Sequence, residues 1–197
     1  MSNMEPEGPP SATALVISAM VFYALMSLLG LGFIEAMDLD PWVLIFGDGE
    51  TVAMDTLYGA IAGLLVVALT WLVRNHPAVK ELNKEFRDLL GSPSSLAIAC
   101  LALSSAIGEE LLFRGALQQS VGITAATLCF GLMHGGLNPK YRLWALFATG
   151  AGFLLGGLAI LTDNLLAPIL CHMTVNYFNL HLVCGQTENE NDDKCAG

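Results

Sequence analysis

Three charged residues, Glu109, Glu110 and Arg114, stand inside an otherwise apolar stretch of this chain. Two more pairs follow at helical spacing, Phe130 with His134 and His172 with Asn176, each at i and i+4. A charge in hydrocarbon costs at least ~2.5–3.5 kcal/mol, so it needs a partner or a purpose. Glu110 and Arg114 have the i, i+4 order that favours a helical ion pair, which neutralises Glu110. Glu109 has Phe113 at i+4 and the hydroxyl of Ser105 at i−4, so it reads as the glutamate left for chemistry. A carboxylate and an imidazole together can hold and deprotonate a water. A second imidazole and an amide can donate hydrogen bonds to a developing oxyanion. That inventory hydrolyses an amide with no covalent intermediate. HExxH and GxSxG are absent, and no serine is framed as a nucleophile. Glu, His and His also suit a transition metal. A metal-dependent membrane hydrolase therefore stays open, weakened by the neutralisation of Glu110. Taken singly, either histidine reads equally as a side chain bonded to a neighbouring carbonyl.

The elements that carry these residues are membrane spans. The 197 residues are 54% hydrophobic and only 13% charged, with a mean hydropathy of +0.60. Soluble domains carry roughly a quarter charged residues. The apolar residues fall in blocks long enough to cross a ~30 Å hydrocarbon core. The expected fold is all-α, a polytopic transmembrane helix bundle of about six spans. They lie near 12–34, 51–73, 95–119, 123–138, 141–161 and 165–184. Between spans 2 and 3, Val79, Leu82, Phe86, Leu89 and Leu90 recur at helical spacing among charges, predicting an amphipathic helix on the membrane surface. The domain plan is a disordered N-terminal tail at 1–11, a transmembrane domain at 12–184 with its core at about 95–184, and a disordered acidic tail at 185–197. The first block, lacking a basic flank, reads as a retained span and not a signal peptide.

Depth unites the polar residues. From the turn at 120–122, Glu110 lies roughly 15 Å down span 3 and His134 roughly 18 Å down span 4. From Asp163, His172 lies roughly 14 Å and Asn176 roughly 20 Å down span 6. Unrelated core polars need no shared depth, so these four point to one site near mid-bilayer.

Arg74, Lys80, Lys84 and Arg87 share one loop, Lys140 and Arg142 another, and Lys194 the tail. With six spans all fall on one side, and the acidic, Lys- and Arg-free segment 35–50 falls on the other. By the positive-inside rule both termini are cytoplasmic. Eight Lys and Arg against 18 acids leave no basic stripe, so nucleic acid is not an expected partner. Cys100, Cys129 and Cys171 read as small packing residues. Ala148, Gly152 and Gly156 read as a close-packing seam. Asp55, His181, Trp71, Tyr141 and Trp144 read as interfacial, His76 as solvated, and Asn179 as a neighbour of the site.

Taken in order, EExxxR (Glu109, Glu110, Arg114), FxxxH (Phe130, His134) and HxxxN (His172, Asn176) resemble the CAAX-processing and bacteriocin-processing (abortive-infection, CPBP) intramembrane endopeptidases. The resemblance covers about 95–184. It implies a glutamate-type intramembrane endopeptidase without a cofactor or metal. Glu109 and His134 would activate the water, His172 and Asn176 would stabilise the oxyanion, and Glu110 and Arg114 would hold span 3. The substrate would be a membrane-anchored protein or peptide, and the setting a bacterial inner membrane. The alternatives are a non-catalytic scaffold or immunity protein of the same fold, and a transporter using the same buried polars.

Overall fold

The computed structural model describes residues 12–185. The expected tails at 1–11 and 186–197 lie outside the described residues. The helices are α1 (Ala12–Ala36), α2 (Pro41–Phe46), α3 (Val52–Val73), α4 (Pro77–Leu90), α5 (Ser95–Glu110), α6 (Gln118–Gly131), α7 (Arg142–Thr162) and α8 (Leu166–Cys184). A wide π-helical turn, Leu111–Leu117, joins α5 to α6, and a second, Leu132–Gly136, follows α6. Among the described residues there is no strand. Four stretches of the described residues are long and apolar enough to cross a membrane: Thr13–Ala36, Val52–Val73, Ser95–Gly136 and Pro139–Thr162. The chain is an all-α integral membrane bundle.

The 42-residue stretch Ser95–Gly136 is too long for one crossing. It folds back at Gly122, whose φ of 81° and ψ of 164° break the helix. Phe113 then meets Phe130, and Glu109 meets His134, as an antiparallel hairpin about that glycine requires. α7 returns antiparallel to α6, setting Gly152 on Thr127 and Gly156 on Ile123. α8 runs antiparallel to α5, pairing Ser105 with Asn176. α1 runs parallel to α5, with Gly108 under Tyr23 and Gly30 over Leu111. α3 runs parallel to α8, where a Cβ on Gly59 would lie 2.5 Å from the Ala167 carbonyl and one on Gly63 would lie 2.7 Å from Thr174. Those glycines let the two backbones approach at the cost of helix propensity.

The ends of the bundle sort by charge. At one end α4 packs Phe86 and Leu90 on Ile98, Val183 and Cys184, and Glu85 pairs with Lys140. The amphipathic helix and both basic loops thus share that end. The other end differs from expectation. Segment 35–50 contains α2, because Asp40 caps it by accepting from the Trp42 and Val43 N–H groups, Pro41 opens it, and Gly47 at φ 65° ends it. Asp55, in the first turn of α3, is not open to solvent but 2% exposed. Its Oδ2 accepts from Thr51 Oγ1 at 2.7 Å and from Asn164 Nδ2 at 2.8 Å. With Leu165 N–H donating to Leu44 O, this clasps α2, α3 and the α7–α8 turn together. Asp55→Ala removes one partner of the buried Asn164 amide, which keeps Thr162 O and Leu166 N–H, so we expect a loss of about 1–3 kcal/mol. Thermal melting in detergent measures it, and an unchanged melting temperature would refute the clasp.

Candidate active site

Glu109 and Glu110 close α5, His134 sits in the second π-helical turn, and His172 and Asn176 lie on α8. Successive positions on a helix differ by about 100°, so the two glutamates face different partners. Glu110, fully buried, accepts from Arg114 Nη1 at 2.9 Å. The same Oε1 lies 2.7 Å from His172 Nδ1. Arg114 spends another N–H on the Gly152 carbonyl at 3.3 Å and stacks its guanidinium 4.4 Å over the Phe130 ring. The small-residue seam on α7 therefore does more than pack: its Gly152 carbonyl takes the Arg114 N–H, while a Cβ at 152 would crowd Thr127 at 2.9 Å.

Glu109 faces the histidines. Its Oε2 lies 3.7 Å from His134 Nε2 and 3.7 Å from His172 Nε2. These separations exceed a direct hydrogen bond and fit groups that share a water. The far side of each ring fixes its tautomer. His134 Nδ1 is 2.7 Å from the Phe130 carbonyl, which can only accept, so Nδ1 carries the proton and neutral His134 presents a bare Nε2 to Glu109. The carbonyl-bonded histidine and the site histidine are the same residue. His172 Nδ1 likewise donates to the Glu110 carboxylate.

Phe130 explains its own place in the FxxxH spacing. Its carbonyl orients His134, and its ring touches Arg114, Phe113 at 5.0 Å and His134 at 4.3 Å. Asn176 donates one amide N–H to Ser105 Oγ at 2.9 Å, and that hydroxyl bonds Ala102 O. Ser105 thus orients Asn176; the structure gives it no bond to Glu109. Asn179 also departs from expectation, since it accepts from Thr70 Oγ1 at 2.8 Å and ties α8 to α3.

The structure brings together Glu109, Glu110, Arg114, His134, His172 and Asn176. Sequence reasoning missed Tyr23 of α1, which stands beside the Glu109 carboxylate. A lone tyrosine in an apolar span carries no spacing signal, and only the α1–α5 packing delivers it. Among the described residues no group of three His, Cys, Asp or Glu is arranged to hold a metal ion. A cleft of about 50 Å³ opens on His134, His172 and Asn176, with walls that include Val66, Trp144 and Leu155. It has room for a few waters at roughly 10–15 Å³ each by this measure. The arrangement offers two proton acceptors around one position, facing donors, and apolar walls.

Residues 91–178 match the family model of Rce1-like, type II CAAX prenyl endopeptidases. The chain is also similar to the Uncharacterized protein YpbD of Bacillus subtilis (strain 168), 37% identical over 79 residues, 40% of this chain and 41% of that protein. It thus spans less than half the length of the curated relative it matches. No solved structure matches.

Proposed function

We propose that this chain is a glutamate-type intramembrane endopeptidase, a reading supported by the match of residues 91–178 to the Rce1-like family model. The observation that carries the reading is one carboxylate oxygen of Glu109 set 3.7 Å from two imidazole Nε2 atoms. A water there donates one proton to Glu109 and the other to His134 Nε2, which turns its lone pairs toward the substrate. Attack on the peptide carbonyl moves one water proton to this pair and makes a tetrahedral oxyanion. Collapse breaks the C–N bond, and the stored proton passes to the leaving amine, giving a carboxylic acid and an amine.

The oxyanion needs donors. Asn176 has a second amide N–H beyond the one spent on Ser105. His172 can donate from Nε2 only as an imidazolium. Carboxylates face both of its ring nitrogens, Glu110 at Nδ1 and Glu109 at Nε2. Glu110 and Arg114 orient His172 and hold the wide turn. Asn176→Ala removes one donor, so kcat falls by about 10²-fold, the lower end for an oxyanion-hole group.

The substrate is a membrane-anchored protein or peptide, because the cleft walls are apolar and the site lies deep in the bundle. Six crossings fit the alternating helix directions, with the catalytic core at about 95–184. The end bearing α4 and the loop at 138–142 holds the basic residues, so it faces the cytoplasm, with both termini on that side. A bacterial plasma membrane is the proposed setting, consistent with the Bacillus relative. The test is purified protein in proteoliposomes with a panel of membrane-tethered peptides, read by mass spectrometry. Cleavage at one bond, lost in Glu109→Gln, supports the reading. Cleavage that persists in that variant removes it, and cleavage abolished by a chelator and restored by a metal replaces it with the metal-dependent alternative.

A further inference from the structure

Trp144 reads in the sequence as an aromatic at the membrane boundary, yet its indole stands edge-on to the His134 ring, centres 4.9 Å apart at 75°. Phe86 of α4 also packs edge-on to the indole, centres 4.8 Å apart at 82°. Tyr141 flanks both rings. The Glu85–Lys140 ion pair, one residue from Phe86, fixes α4 to the segment that leads into α7. A continuous column of rings therefore runs from the surface helix to the imidazole.

His134 needs such support because its backbone gives little. The helix ends there, with His134 at φ −82° and ψ 34° and Gly135 at φ 84°. The Nδ1–H bond to Phe130 O restrains one ring atom but permits rotation about that bond. Nε2 swings on such a rotation, and Nε2 is the atom aimed at Glu109. The Phe130 ring, 4.3 Å away, is one surface against the imidazole and Trp144 is the second, and together they stop the swing. Supporting shells of this kind hold reacting groups to within about 0.5 Å.

We propose that Trp144 is a positioning residue for His134 and that Phe86 of the surface helix fixes Trp144, which makes α4 part of the apparatus that aims the imidazole. This rests on the reading of His134 as a proton acceptor. Phe86 is the informative position, since it lines no part of the cleft, whereas Trp144 does.

Two measurements test the proposal, both on the full chain in detergent. The first needs no substrate. The protein has three tryptophans, so Trp42→Phe with Trp71→Phe leaves Trp144 as the only reporter. A protonated imidazole in contact quenches indole emission, so acid titration should quench Trp144. His134→Gln should abolish that step, and Phe86→Ala should reduce it. The second is kinetic: Phe86→Ala should lower kcat by about 5–10-fold, the scale of a lost aromatic pair, with KM within about twofold. Phe86→Leu, which keeps the apolar anchor of α4, should also lose kcat while melting like the wild type. Phe86→Ala added to Trp144→Ala should cost nothing more. Undiminished kcat in both Phe86 variants, multiplicative losses in the double variant, or a quench indifferent to Phe86 would each overturn the proposal. A wild type that cleaves no tethered peptide, with the quench behaving as described, overturns the endopeptidase reading and leaves the ring contact standing.

Discussion

Glu109→Gln is expected to leave a folded protein that cleaves about a thousandfold more slowly, within the range of a lost general base. The substitution is isosteric, and the native carboxylate oxygen facing the histidines has no direct hydrogen-bond partner to lose. What changes is the chemistry. An amide can place an N–H where the carboxylate accepted, so the water loses an acceptor and His172 loses the charge opposite Nε2. His134→Ala removes the other acceptor and should cost about a hundredfold or more. Both groups hold one water, so the double variant should be barely slower than Glu109→Gln alone, as expected of residues that act as a unit. Initial rates per folded molecule on a tethered peptide measure this, with melting curves to confirm folding. Multiplicative losses would mean that Glu109 and His134 do not share a proton-transfer position. A rate within threefold of wild type in either variant would end the mechanism.

The parts of the site legible in the sequence were those with helical spacing. Glu110 and Arg114 announce themselves at i and i+4, as do His172 and Asn176. The hairpin at Gly122 and the shared depth of the polar residues follow from span lengths, and both basic loops do lie at one end. What failed to appear depends on contacts between distant helices or on local hydrogen bonding that competes with the obvious partner. Ser105 is one turn from Glu109, yet it bonds its own helix at Ala102 and accepts from Asn176. Tyr23 reaches Glu109 only because α1 crosses α5 at Gly108. Trp144 looks like a boundary aromatic until α4 folds back over it. The six-residue α2 had its signals, Asp40-Pro41 and Gly47, but was too short to show periodicity within an acidic segment. Asp55 at a span end resembled an interfacial acid because its partner Asn164 comes from a turn far along the chain.

The second large effect separates stability from catalysis at the Glu110–Arg114 pair. Arg114→Met leaves Glu110 fully buried without its guanidinium, opens the contact over Phe130 and strands the Gly152 carbonyl. Breaking a buried pair from one side costs about 3–5 kcal/mol, a large share of a stability of roughly 5–15 kcal/mol. The expected result is a protein recovered in low yield with a sharply lowered melting temperature. Adding Glu110→Leu removes the orphaned charge, and apolar replacement of both partners is often neutral or better. Much of the lost stability should return. Activity should not, because His172 Nδ1 then has no carboxylate to orient its ring. Loss of such a supporting partner costs about 10–100-fold at metal-bound histidines, and the same scale is expected here. A double variant that melts near wild type and cleaves normally would show the pair to be a strut alone. One that regains its melting temperature but stays slow would show that Glu110 acts on the chemistry through His172.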